Sequence, residues 1–197
     1  MNRKVDFSPE EKKEKISLLT KDFENLIKHL DLNLEDEHLK DTPKRMAKAY
    51  INQIFFGLFN EPPELKEFQS NGYSQMIISR DIGFYSLCSH HFLPFFGNIS
   101  IGYIPDKKIC GLSKLARVAD YYSRRPQVQE RLAEDIVNYI QKKLQPKGCG
   151  VVVQGRHMCQ EARGIRIQSE MVTTALRGIF LTTANVKEEF LRSIGLM

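Results

Sequence analysis

The chain predicts an α+β fold, with a helical N-terminal segment followed by an antiparallel sheet that carries two adjacent helices. Three observations predict it. Apolar residues recur at helical spacing through roughly the first 55 positions. From about residue 74 the pattern changes to the period of two that marks strands. Two consecutive helical patterns then separate early strands from later ones, the order of an α+β domain and not of alternating βαβ units. The change of period divides the chain into a helical segment, 1–73, and a second domain, 74–197.

Each element has a local reason. Ser8-Pro9-Glu10-Glu11 combines a capping serine, a first-position proline and a glutamate three residues after the cap. Ile16, Leu19, Phe23, Leu26, Ile27 and Leu30 make one face of the helix at 9–30 apolar. Thr42-Pro43 starts a second helix with Met46, Ala47, Tyr50, Ile51 and Ile54 on a stripe and Gly57 as its stop. Asn60-Glu61-Pro62-Pro63 is a loop. Residues 75–79 and 82–87 read as two short strands. Ile99, Ile101 and Tyr103 alternate with Asn98, Ser100 and Gly102, as in a half-buried strand.

Ser113 is placed to cap a helix carrying Leu115, Val118, Ala119 and Tyr122. After Pro126 a second helix carries Val128, Leu132, Ile136, Ile140 and Leu144, and Gln145-Pro146-Lys147-Gly148 ends it. Residues 150–154 form a β-branched strand, 171–183 have similar propensities, and Asn185 caps a last helix with Phe190, Leu191 and Ile194. No internal repeat or low-complexity tract interrupts this order.

Composition narrows the classes. At 197 residues, 42% hydrophobic and 27% charged, the chain matches an ordinary globular protein. The polar start, Met1-Asn2-Arg3-Lys4-Val5-Asp6, is unlike a secretory signal, and no apolar run approaches the ~20 residues of a membrane span. Four irregularly spaced cysteines then point to reduced thiols in a cytoplasm. Lys/Arg and Asp/Glu cancel at 11 each over residues 1–50, whereas 107–177 hold 14 against 6. That excess suits an anionic ligand or a solvated basic face. Recognisable nucleic-acid motifs are absent, so neither nucleic acid nor membrane is an expected partner.

The chemistry concentrates in Cys88-Ser89-His90-His91 and His157-Met158-Cys159, which hold three of the five histidines and two of the four cysteines. Catalytic zinc takes three protein ligands from thiolate and imidazole and leaves one position for water. Cys88, His91 and Cys159 supply that set, with His90 and His157 beside it as proton carriers. Alone, Cys88-x-x-His91 would read more readily as buried core residues than as a metal site; the distant His157-x-Cys159 turns the balance to a metal. A purely structural site would need a fourth ligand from Cys110, Cys149 or His157. A bend over His90-His91-Phe92-Leu93-Pro94 is required to return His91 to Cys88, and an extended 157–159 would point His157 and Cys159 the same way. Lys114 and Arg117 share a helical face near a helix N-terminus, where phosphate binds well. Arg163, Arg166 and Arg177 are weaker anion candidates. Glu130 alone reads as a first-turn carboxylate.

From about Asp41-Thr42-Pro43 to the C-terminus the chain resembles the GTP cyclohydrolase I family. The likeness is densest in Cys88-Ser89-His90-His91-Phe92-Leu93-Pro94-Phe95-Phe96-Gly97, Gly111-Leu112-Ser113-Lys114-Leu115-Ala116-Arg117, Arg125-Pro126-Gln127-Val128-Gln129-Glu130-Arg131-Leu132, and His157-Met158-Cys159 through Ala162-Arg163-Gly164-Ile165-Arg166. The resemblance implies a T-fold: a four-stranded antiparallel sheet with two helices, closing as a pentameric barrel and stacking into a homodecamer with active sites between subunits. It implies zinc-dependent hydrolysis of GTP at C8, releasing formate and forming 7,8-dihydroneopterin triphosphate. On the family match, His90 and His157 shuttle protons, Ser113 contacts the ribose, Lys114, Arg117 and Arg163 hold the triphosphate, and Gln129 and Glu130 meet the guanine edge.

Two departures stand out. Ser89 replaces the family's usual glutamate, and the stretch between Arg166 and Val172 is one residue short. They motivate an alternative, a T-fold paralogue that keeps the zinc site but alters substrate or product. A zinc-free T-fold reductase fits poorly with Cys88, His91 and Cys159 together, and a non-catalytic GTP- or nucleic-acid-binding regulator fits poorly with the His90/His157 pair.

Overall fold

A computed structural model describes residues 7–197, which form two compact units, one ending at Glu61 and the other spanning Pro62–Met197. The boundary falls before the expected break at 73/74, because residues 67–69 form a strand of the second unit.

In the first unit, α1 (Pro9–His29) begins with the expected capping box: Glu11 N–H donates to the Ser8 side chain and Ser8 N–H to the Glu11 carboxylate at 2.8 Å. α2 (Thr42–Ala49) runs into a widened π-helical turn, Tyr50–Ile54, and then α3 (Phe56–Phe59). Gly57 therefore lies inside a helical turn instead of ending one. Ile27, Ala47, Ile51, Phe55 and Phe59 are buried, and Tyr50 meets the rings of Phe23 and Phe55 edge-on, each at 5.3 Å. Leu26 and Leu30, expected on the buried stripe, remain exposed with Leu18.

The second unit is built on a sheet of β2 (Ile77–Cys88), β3 (Pro94–Ile104), β6 (Gly148–His157) and β7 (Glu170–Gly178), antiparallel throughout. A two-residue strand, β5 (Pro126–Gln127), adds a parallel fifth at Leu87 and Cys88, giving the order β5-β2-β3-β6-β7. The two strands expected at 75–79 and 82–87 are one strand. A register shift between Ser79 and Ile82, with Asp81 at φ 57°, lets the chain bulge without ending the ladder. β1 (Glu67–Gln69) and β4 (Lys108–Cys110), both unanticipated, form a separate two-stranded ribbon.

The two central helices, α4 (Leu112–Ser123) and α5 (Gln129–Leu144), pack on one face of the sheet. Leu115, Val118, Leu132, Ile136 and Ile140 meet Phe84, Phe95, Ile99 and Ile101 there, forming the main core. Ser113 is not the cap of α4; Gly111 occupies that place and Ser113 lies in the first turn. The stretch expected to be extended to 183 bends at Gly178 into a helical turn, α7 (Ile179–Thr182), followed by α8 (Ala184–Ser193) with Thr183 rather than Asn185 as its cap. Phe180 and Phe190 from these helices bury Val152 and Leu176 on the second face of the sheet. Ser100, expected on a solvated face, is consequently 2% exposed.

Candidate metal centre

The ends of β2, β3 and β6 converge, and the chemistry sits where they do. Past Cys88 the chain turns sharply: Cys88 N–H donates to Leu93 O and Phe92 N–H to Cys88 O, each at 2.8 Å, with Phe92 at φ 52°. This is the bend that the sequence required. It brings His91 Nδ1 to 4.0 Å and His90 Nδ1 to 3.7 Å from Cys88 Sγ.

From the other side, β6 ends at His157 and the chain enters a single helical turn, α6 (Met158–Glu161), that carries Cys159. His157 thus comes from the extended end of β6 and Cys159 from the helical turn that follows, so 157–159 is not extended throughout as expected. The guanidinium of Arg156 grips the Glu161 carboxylate with two hydrogen bonds, at 3.1 and 2.6 Å, and ties this turn to the strand before it.

One ligand atom each from Cys88, His91 and Cys159 lie within 4.8 Å of one another. Two thiols and an imidazole are a donor set that suits zinc, and this is the group that the sequence singled out. Burial, and then the adjacent Cys88 thiol, raise the Cys159 thiol above its ordinary range, with the Arg163 charge opposing. The Cys159 sulfur must therefore give up its proton when a metal arrives. The two remaining cysteines lie elsewhere in the core, with Tyr103 beside Cys110 and Val137 O beside Cys149.

His157 is half-buried. Its ring stacks on Phe95 with centroids 4.7 Å apart and planes 6° apart, and its Nε2 meets Gln129 Oε1 at 2.9 Å. Burial lowers its pKa below the ordinary imidazole value, and the charges of Glu130 and Glu161 pull the other way. Glu130 is exposed at the start of α5 and near enough to His157 for its charge to be felt.

Gln129 differs from its expected place at a guanine edge. It is 1% exposed, and its amide is spent inside the chain on Val153, Met171, Thr173 and His157. No sequence pattern signalled this, since one glutamine at a helix start looks like any other. Phe95 and the Arg156–Glu161 pair were missed for the same reason.

Ser113, Lys114 and Arg117 are not gathered here. α4 begins beyond β4, at the Ile104 end of β3, and ends beside β5, which pairs with Leu87 and Cys88. Its N-terminal turn therefore lies at the opposite end of the sheet from the cysteines. Arg163 is exposed, close enough to affect Cys159. Arg177 bonds to Glu134 and to Asn138 Oδ1 on α5 and takes no part in the site.

The family model described as GTP cyclohydrolase I matches residues 19–195. The chain belongs to the GTP cyclohydrolase I family. It is 48% identical over 159 residues to GTP cyclohydrolase 1 of Aquifex aeolicus, covering 80% of this chain and 85% of that protein. It is 45% identical over 186 residues to the Hydrogenobaculum protein of the same name, covering 88% and 98%. Against the Chlorobaculum tepidum protein of that name the identity is 40% over 193 residues, covering 96% and 86%. For a GTP cyclohydrolase I family member, the cluster at Cys88, His91 and Cys159 is the natural place to seek the chemistry. None of the described helices is long and apolar enough to cross a membrane.

Proposed function

We propose that this family member is a zinc-dependent GTP cyclohydrolase I, converting GTP and water to 7,8-dihydroneopterin triphosphate and formate in pterin or folate biosynthesis. The observation that carries the reading is the meeting of Cys88, His91 and Cys159, with His90 against Cys88 and His157 two residues before Cys159 in the chain. Zinc held by those three residues lowers the pKa of water toward neutrality and acts as a Lewis acid. His90, exposed next to Cys88, and His157, steadied by Phe95 and Gln129, move protons as the guanine imidazole ring opens and its one-carbon unit leaves.

With Gln129 turned inward, Glu130 is the open carboxylate for the guanine amino and ring N–H groups. Arg163 supplies positive charge near the cysteines for phosphate. Ser113, Lys114 and Arg117 belong to the same substrate, but from a neighbouring subunit. Their place at the far end of the sheet supports a site completed between copies of the chain. The sheet supports such an assembly too: among the described residues no strand covers the outer edge of β7, and β5 covers only the last two residues of β2. A ring of five joined by those edges, stacked as a decamer, satisfies both. The four free cysteines suit the reducing cytoplasm in which we place it.

The test is metal analysis of the purified protein with an assay of formate and dihydropterin absorbance on adding GTP. Near-stoichiometric zinc and one formate per dihydropterin are expected; tight GTP binding without formate would overturn the proposal. Accumulation of a ring-opened formamide would instead favour the paralogue suggested by Ser89.

A further inference from the structure

We propose that Gln129 is a positioning residue for His157: it fixes the orientation and tautomer of the imidazole and leaves Nδ1 as the nitrogen that exchanges a proton with substrate. The proposal rests on the reading of His157 as a proton carrier in GTP hydrolysis.

The neighbours of the Gln129 amide decide which way it points. Its Nε2 faces Val153 O at 3.0 Å, Met171 O at 2.7 Å and Thr173 Oγ1 at 3.1 Å. Backbone carbonyls only accept hydrogen bonds, so this end is the NH2 group. The other end, Oε1, is 2.9 Å from His157 Nε2. An amide oxygen has no hydrogen to give, so Nε2 must donate. The neutral imidazole is therefore the Nε2–H tautomer, with its lone pair on Nδ1.

Two further features hold this arrangement. Phe95 lies flat against the imidazole at 4.7 Å and keeps the ring in one plane. Gly155 makes room for the oxygen: a Cβ at that position would lie 2.5 Å from Gln129 Oε1. Flipping the imidazole by half a turn about its Cβ–Cγ bond would set C–H against Oε1 and leave a buried acceptor without a donor. A group that transfers protons must present the same atom at hydrogen-bond reach in every turnover. Gln129 supplies that constancy without touching substrate itself, which accounts for a glutamine buried at the start of α5.

The test uses zinc-loaded protein labelled with 15N-histidine, with solid-state NMR at a pH where the ring is neutral. The His157 signals are identified by their loss in His157→Asn. The expected result is a protonated Nε2 and a bare Nδ1. Gln129→Met keeps the side-chain length and removes both polar ends. It should lower kcat at least tenfold, leave KM for GTP and zinc per chain unchanged, and let the His157 nitrogens exchange protonation. Gly155→Ala, which presses a methyl group on Oε1, should lower kcat in the same direction. A protonated Nδ1 in the unaltered protein, or full kcat in correctly folded Gln129→Met, would overturn the proposal. Should Gln129→Met fail to fold, the wild-type spectrum and Gly155→Ala decide. If the unaltered protein releases no formate from GTP, the functional reading fails, while the spectrum still decides the tautomer.

Discussion

At the scale of single residues, the proposed metal ligands and the proposed proton carriers are different side chains, and their variants should differ accordingly. Cys159→Ser is expected to lose zinc and formate release together, whereas His157→Ala is expected to retain zinc and assembly yet lose at least about a hundredfold in turnover, the usual size of a general acid–base contribution. Zinc per chain measured beside kcat separates the two; an active, zinc-replete Cys159→Ser would refute the ligand assignment. Cys88, His91 and Cys159 were legible in the sequence because few residue types bind zinc and their clustering is conspicuous. Gln129 was not. Its role depends on β6 and β7 presenting Val153 O, Met171 O and Thr173 Oγ1 to one side chain, contacts 24 to 44 residues away along the chain.

At the scale of elements, period and punctuation gave the sheet and its two helices, and burial on both faces hid the rest. Gly102 looked like one of the small polar-face residues of β3. It is instead paired with Gly150 on β6, and together they make a flat floor for two rings. A Cβ on Gly102 would lie 2.7 Å from Phe190, and one on Gly150 would lie 2.8 Å from Phe180. Gly102→Ala should therefore lift α7 and α8 and cost about 1–3 kcal/mol, the range for an overpacked core. Urea unfolding would register this as a lower midpoint; an unchanged midpoint would mean that the helices yield freely. The bulge at Arg80-Asp81 escaped the sequence reading for a related reason. A local break in alternation looks like a strand end unless the partner strand is known to continue.

At the scale of the whole molecule, the main core carries a pH dependence. Burial pushes the Cys149 thiol up to about 12, with Arg177 opposing, against roughly 8.5 for an unfolded thiol. Above the unfolded value the unfolded chain releases this proton while the folded chain keeps it. Stability must then fall as pH rises, at up to about 1.4 kcal/mol per pH unit for this one group. Cys110 and Tyr103, both raised mainly by burial, act in the same direction. Unfolding midpoints between pH 9 and 11 should decline more steeply for the unaltered protein than for Cys149→Ala, and parallel slopes would contradict this.

All the proposed chemistry depends on a cation held by the bend after β2 and the turn after β6, and X-ray absorption at the zinc edge of the loaded protein examines that directly. Two sulfur neighbours at about 2.3 Å, with nitrogen or oxygen at about 2.0–2.1 Å filling the remaining positions, is the predicted shell. A shell without sulfur, or one with three or four sulfurs, would contradict it.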